Sequence, residues 1–119
     1  MTRTFVKVKT DFVSIHCWKD APEQVAFLRN LHRHTFYVTL KLEVEHDDRE
    51  VEFFMLKEDL TLIVSDCKTK WPETTSCEQM AHDICKALKQ NPKYSGRDMI
   101  VEVSEDNECS AIVENFSEV

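Results

Sequence analysis

Polar and apolar residues alternate over two stretches of the chain and recur at helical spacing over two others. In TFVKVKTDFVSIH, residues 4–16, Val6, Val8, Phe12 and His16 share one parity while Lys7, Lys9 and Asp11 take the other, the pattern of a half-buried strand. The alternation is cleaner over residues 32–44. His32, His34, Phe36, Val38, Leu40, Leu42 and Val44 fall on one face, and Arg33, Thr35, Tyr37, Thr39, Lys41 and Glu43 on the other, because successive strand side chains point to opposite sides. Between the two strands lies WKDAPEQVAFLRN, too long for a tight hairpin, and connections of that length in compact domains are often functional. It joins two strand ends that both carry histidine.

EHDDRE is a charged, solvated turn, and VEFF resumes a short extended piece. Leu56, Leu60, Ile63, Val64 and Cys67 then follow helical spacing, predicting a helix over about 55–66. TKWPET is turn material; Thr75 followed three residues later by Glu78 reads as a capping box, opening a helix with Met80, Ile84, Ala87 and Leu88 on one face that runs to about Gln90. NPKYSGR breaks it, and MIVEVSED and ECSAIVENF read as two closing strands joined by a turn near Asp106 and Asn107. The order ββααββ predicts an α+β fold: an antiparallel four-stranded sheet with two helices on one face. No internal repeat or low-complexity segment interrupts it.

Length and charge narrow the function. A chain of 119 residues is one domain's worth and buries roughly two-thirds of its unfolded surface. With 22 acidic against 15 basic residues the net charge is −7, so no basic field attracts nucleic acid or anionic lipid. No apolar run reaches the roughly 18 residues of a membrane span, and the start MTRTFVKVKTDF has no signal-like apolar stretch; a cytoplasmic location is expected. The single glycine, Gly96, excludes the glycine-rich phosphate loops. Cys17, Cys67, Cys77, Cys85 and Cys109 are odd in number and show no C-x-x-C pair, so reduced, mostly buried thiols are expected.

Histidines carry the candidate chemistry. His32 and His34 stand at i and i+2 of a strand and project from one face. His16 ends the first strand on its core-facing parity, so antiparallel pairing would bring it close to both. Three neutral imidazoles with a fourth position open are the ligand set of a catalytic zinc; hydrogen-bonded strand histidines are the plainer alternative. His46 sits in the charged turn and His82 one turn into the second helix, both read as surface residues.

FVSIH at 12–16 followed by LHRHTF at 31–36, EFFMLK at 52–57, TSCEQMA at 75–81 and VEVSEDNECSAIVE at 101–114 together resemble, in the correct order, the 6-pyruvoyl-tetrahydropterin synthase and 6-carboxy-tetrahydropterin synthase family. The likeness covers nearly the whole chain, residues 1–119 being read as a single pterin-synthase-like domain. The resemblance implies that His16, His32 and His34 hold zinc, that Glu105 anchors a pterin, and that Ser76 and Cys77 contact it. A carboxylate accepts two parallel hydrogen bonds from an amino-pyrimidinone edge, as it does from a guanidinium. It further implies the tunnelling fold, with sheets joined side by side into a barrel and a homo-oligomer, trimer or hexamer, whose ligand site lies at a subunit junction. A strand as apolar as 34–44 would invite such pairing if it lay at an exposed edge.

The chain departs from the family where protons move. The family's cysteine four residues before its H-x-H is replaced by Leu28, and SDCKTKWPET at 65–74 lacks the family's Leu-Asp-His relay. Arg33 stands where glycine is common. Cys17, Asp66 and Glu108 are candidate bases, with Cys67 and Glu23 behind them; Cys17 has the opposite strand parity and points away unless the strand ends at His16. Three functions follow: a zinc-dependent lyase acting on 7,8-dihydroneopterin triphosphate or a related pterin with a non-standard relay, a zinc-containing pterin-binding homologue without turnover, or a fold relative acting on another heterocycle such as a purine.

Overall fold

The computed structural model describes residues 1–117. Strand β1, Thr4–His16, is followed by a short 3-10 helix, Glu23–Arg29, and by strand β2, His32–Val44; helices α1, Phe53–Lys68, and α2, Cys77–Gln90, precede strands β3, Met99–Glu105, and β4, Cys109–Asn115. Among the described residues the sheet has four strands in the order β1-β2-β3-β4, every neighbouring pair antiparallel. The fold is α+β, as the patterning predicts, and β1 and β2 begin and end where the alternation does.

Several boundaries differ from the sequence reading. VEFF is not an extended piece: the Glu52 carboxylate caps α1 by accepting the N–H groups of Phe54 and Met55, so Phe53 and Phe54 are already helical. The cap of α2 is Ser76, whose Oγ accepts the Gln79 N–H at 3.1 Å, while the Thr75 hydroxyl turns back to the Pro72 carbonyl at 2.7 Å. Ser76 with Gln79 fits the capping template as well as Thr75 with Glu78, and the turn bond to Pro72 removes Thr75 from the competition. The closing strands are shorter than read, because Asp106 and Asn107 both adopt positive φ, 52° and 63°, the left-handed region in which short polar side chains are tolerated. The long connection is not irregular throughout, since a 3-10 helix kinked at Val25 fills it.

Both helices pack on the sheet face carrying Phe36, Val38, Leu40 and Leu42, and these residues close a core with Leu56, Leu60, Ile84, Leu88, Met99, Val101 and Val103. Each large aliphatic or aromatic side chain fully buried there contributes about 1.5–3 kcal/mol of transfer free energy. The register sets His16 directly opposite His32, Ser14 opposite His34 and Phe36 opposite Glu105. One end of the helix-covered face therefore gathers three histidines and a glutamate just past the core, floored by Phe12 stacked on Phe36 at 5.2 Å. The outer face is uncovered, leaving Val13, Ile15 and Ile112 exposed. Among the described residues no helix is long and apolar enough to cross a membrane.

Candidate metal centre

His16 comes from the end of β1, and His32 and His34 from the start of β2. Their ring centroids lie 4.5, 4.8 and 5.0 Å apart and the planes cross at 72–83°, so the rings radiate around a shared point instead of stacking. One ligand nitrogen of each lies within 4.8 Å of the other two.

Two of the opposite ring nitrogens are tied down. His32 Nδ1 lies 2.8 Å from the Asn30 carbonyl, and His34 Nδ1 lies 2.5 Å from Asp106 Oδ2. An acceptor at Nδ1 holds the hydrogen there and leaves Nε2 as a lone pair. All three Nε2 atoms are buried without a hydrogen-bond partner. Leaving a buried polar atom unpaired costs about 1–3 kcal/mol, and the three together form a set of donors that could hold a metal ion. Neutral imidazoles, two of them oriented by acceptors on their far side, suit zinc; the residues present fit the ion.

Electrostatics favour a neutral His16. Burial holds His16 below the usual histidine range, the charge of Glu105 opposes this, and His32 and His34 push it further down. Asp106 is held below the usual carboxylate range, first by its bond with His34 and then by the Thr35 N–H. Asp106 is the residue that the sequence reading passed over, naming it only as a turn residue. The signal was present: a turn acid in a hairpin that pairs with the H-x-H strand.

Beside the triad is a cavity of about 470 Å³, walled by His16, His32, Cys17, Trp18 and Leu28 on one side and by Thr75, Ser76, Cys77 and Glu105 on the other. Of the candidate bases, Cys17 lies here. β1 ends at His16, the Cys17 N–H leaves the ladder to bond the Glu73 carbonyl at 2.9 Å, and the side chain is buried on the cavity wall. Leu28 is brought to that wall because the Trp18 N–H bonds the Leu28 carbonyl at 2.7 Å, closing the base of the long connection.

Glu105 turns toward the histidines, with Oε1 3.4 Å from His16 Nε2 and Oε2 3.8 Å from His34 Nε2. The Cys77 thiol donates to Oε1 at 3.9 Å. Burial first, and then the charge of Glu105, push that thiol up to about 12, so it stays protonated and acts as a donor.

Other candidates lie elsewhere. Asp66 is exposed and pairs with Lys70 at 3.2 Å. Glu108 is exposed in the β3–β4 turn, Cys67 is buried on the core-facing side of α1, and Glu23 pairs with Arg29 at 3.1 Å. His46 stands at the far end of the sheet near Glu50, and His82 is exposed on α2. No protein-family model and no curated protein sequence matches the chain.

Proposed function

We propose that this chain is a zinc-dependent, pterin lyase-like protein acting on 7,8-dihydroneopterin triphosphate or a related pterin by elimination or side-chain cleavage. The observation that carries the reading is the convergence of three buried, unpartnered Nε2 atoms beside a cavity that also holds a carboxylate. Zinc bound by His16, His32 and His34 would supply Lewis-acid polarisation of a side-chain oxygen. Glu105 accepts the paired N–H groups of the pterin edge, and Ser76 and Cys77 contact the ring from the start of α2. Trp18 and Leu28 line the same cavity. Cys17 is the thiol assigned to proton transfer, since it is the candidate base on the cavity wall.

A second reading has its own observation. Leu28 puts an aliphatic side chain on the wall where the resembled family has its proton-transfer cysteine, which favours a homologue that binds zinc and pterin without turnover. We also assign the protein to the cytoplasm, where its five thiols, all free, remain reduced, and to a homo-oligomer, trimer or hexamer. Support for assembly comes from the outer edges of β1 and β4, which have no strand partner among the described residues, and from the exposed Val13, Ile15 and Ile112 on the open face of the sheet.

The test is mass spectrometry of products after zinc-loaded protein is incubated with 7,8-dihydroneopterin triphosphate, with His34→Ala as control. Conversion to a 6-pyruvoyl or 6-carboxy pterin, absent in the variant, supports the lyase. Intact substrate at high protein concentration moves the assignment to the binding role.

A further inference from the structure

Glu105 stands in an unusual relation to the histidines. Its Oε1 lies 3.4 Å from His16 Nε2 and its Oε2 3.8 Å from His34 Nε2, yet neither nitrogen has a hydrogen-bond partner. The contacts are therefore close without the alignment of a hydrogen bond. His34, whose Nδ1 faces the Asp106 carboxylate, offers only a lone pair at Nε2, and a carboxylate likewise offers only lone pairs. Two such atoms gain by sitting side by side when both face a common cation. Ligands about 2.0–2.1 Å from one tetrahedral ion lie roughly 3.3–3.4 Å from each other; the gap between Glu105 and His16 is 3.4 Å and that between Glu105 and His34 is longer, 3.8 Å.

The backbone holds the carboxylate there. Glu105 is the last residue of β3, paired with Phe36, two positions along β2 from His34 on the same face. Cys77 donates to the same oxygen that approaches His16.

We propose that Glu105 is the fourth ligand of this metal centre when no heterocycle is bound, so that the resting site is closed, and that a ligand recruiting its carboxylate opens a coordination position. The inference rests on the metal reading above. Structural zinc sites are closed by four protein ligands, and catalytic ones keep three; Glu105 moves the site between these states. In the exchange the Glu105 carboxylate would turn from the metal to accept two N–H hydrogen bonds from an amino-pyrimidinone edge, leaving one coordination position free for the ligand. No proton or electron is transferred. The closed resting state keeps solvent and stray anions off the metal until the correct heterocycle is seated.

Cobalt(II) in place of zinc reports its ligands through visible absorption. The full chain is loaded with cobalt, and its spectrum and its affinity, measured by chelator competition, are compared for wild type, Glu105→Gln, Glu105→Asp and His34→Ala, and for wild type with neopterin added. Both Glu105 variants are expected to shift the visible bands and to weaken cobalt binding at least about tenfold, since losing even an outer partner of a ligand costs that much. Neopterin is expected to shift the wild-type spectrum. The aspartate variant keeps the charge on a shorter arm and so separates coordination from simple attraction; it also carries the comparison if Glu105→Gln does not fold. Coincident spectra of wild type and both variants, with cobalt bound in all, overturn Glu105 as a ligand and leave the histidine site standing. A wild-type spectrum unmoved by neopterin overturns the opening step. Wild type that binds cobalt no better than His34→Ala overturns the metal reading itself.

Discussion

His34 Nδ1 lies 2.5 Å from Asp106 Oδ2, and the other oxygen of that carboxylate accepts the Thr35 N–H at 3.0 Å. The Asp106 N–H in turn bonds the Thr35 carbonyl at 2.8 Å, so a turn residue from the last hairpin clamps the start of β2. The clamp fixes both the ring's orientation and its tautomer. Asp106→Asn keeps a residue that tolerates the left-handed backbone and an oxygen that still accepts the Nδ1 hydrogen. It is expected to weaken zinc binding by about tenfold, the low end of what losing such a partner costs. Chelator competition checks this; equal affinities would mean that the turn serves the hairpin alone.

Removing the metal has a thermal signature. An ion that binds only the folded chain stabilises it by about 4 kcal/mol when free ion is near 1,000 times its Kd, which moves Tm by on the order of 10 °C at this size. Calorimetry with zinc and then with EDTA is expected to show that difference in wild type and to show little of it in His16→Ala.

Leu28 on the cavity wall invites the reverse experiment. Leu28→Cys adds a thiol beside the proposed metal, and a positioned proton carrier is worth about 100-fold or more. Product formation from 7,8-dihydroneopterin triphosphate is expected to rise at least tenfold, on the lower side of that range. An unchanged rate would show that proton transfer does not limit turnover.

The cysteines differ in reactivity for a readable reason. The thiolate is the nucleophile, and Cys77, pushed up to about 12, has almost none at pH 8. Cys109 is exposed. Iodoacetamide labelling followed by peptide mass spectrometry is expected to find Cys109 modified first and Cys77 last. Glu105→Gln removes a charge that raises the Cys77 pKa, so it is expected to speed labelling at Cys77.

Acid sensitivity is expected at the far end of the sheet. Glu50 is held below its ordinary value of 4.5, first by its hydrogen bond with Arg97 and then by the N–H of Glu45. A carboxylate depressed in the folded state stabilises it above the unfolded pKa, and that contribution fades as pH falls through the folded value. Tm measured against pH is expected to fall below about pH 4.5 in wild type. In Glu50→Gln that part of the slope is absent, so the two curves converge at low pH.

What the sequence determined by itself was everything that depends on period. The alternation in residues 4–16 and 32–44 set the limits of β1 and β2 and put His16, His32 and His34 on the core-facing parity, because a strand has only two faces. The spacing of Leu56, Leu60, Val64 and Cys67 located α1 in the same way. Local competition decided the caps, where Ser76 prevailed over Thr75 only because Pro72 offers its carbonyl to Thr75. Register and closure belonged to the tertiary structure. Periodicity says which face His16 takes, but not that it stands opposite His32; that follows from pairing along thirteen residues of each strand. Asp106 reaches His34 across 72 positions, and Glu105 faces His16 across a greater distance in the chain. Side-chain partners so far apart in sequence leave no local pattern, since it is the sheet, pulled into one register by the burial of Phe36, Val38, Leu40 and Leu42, that brings them together.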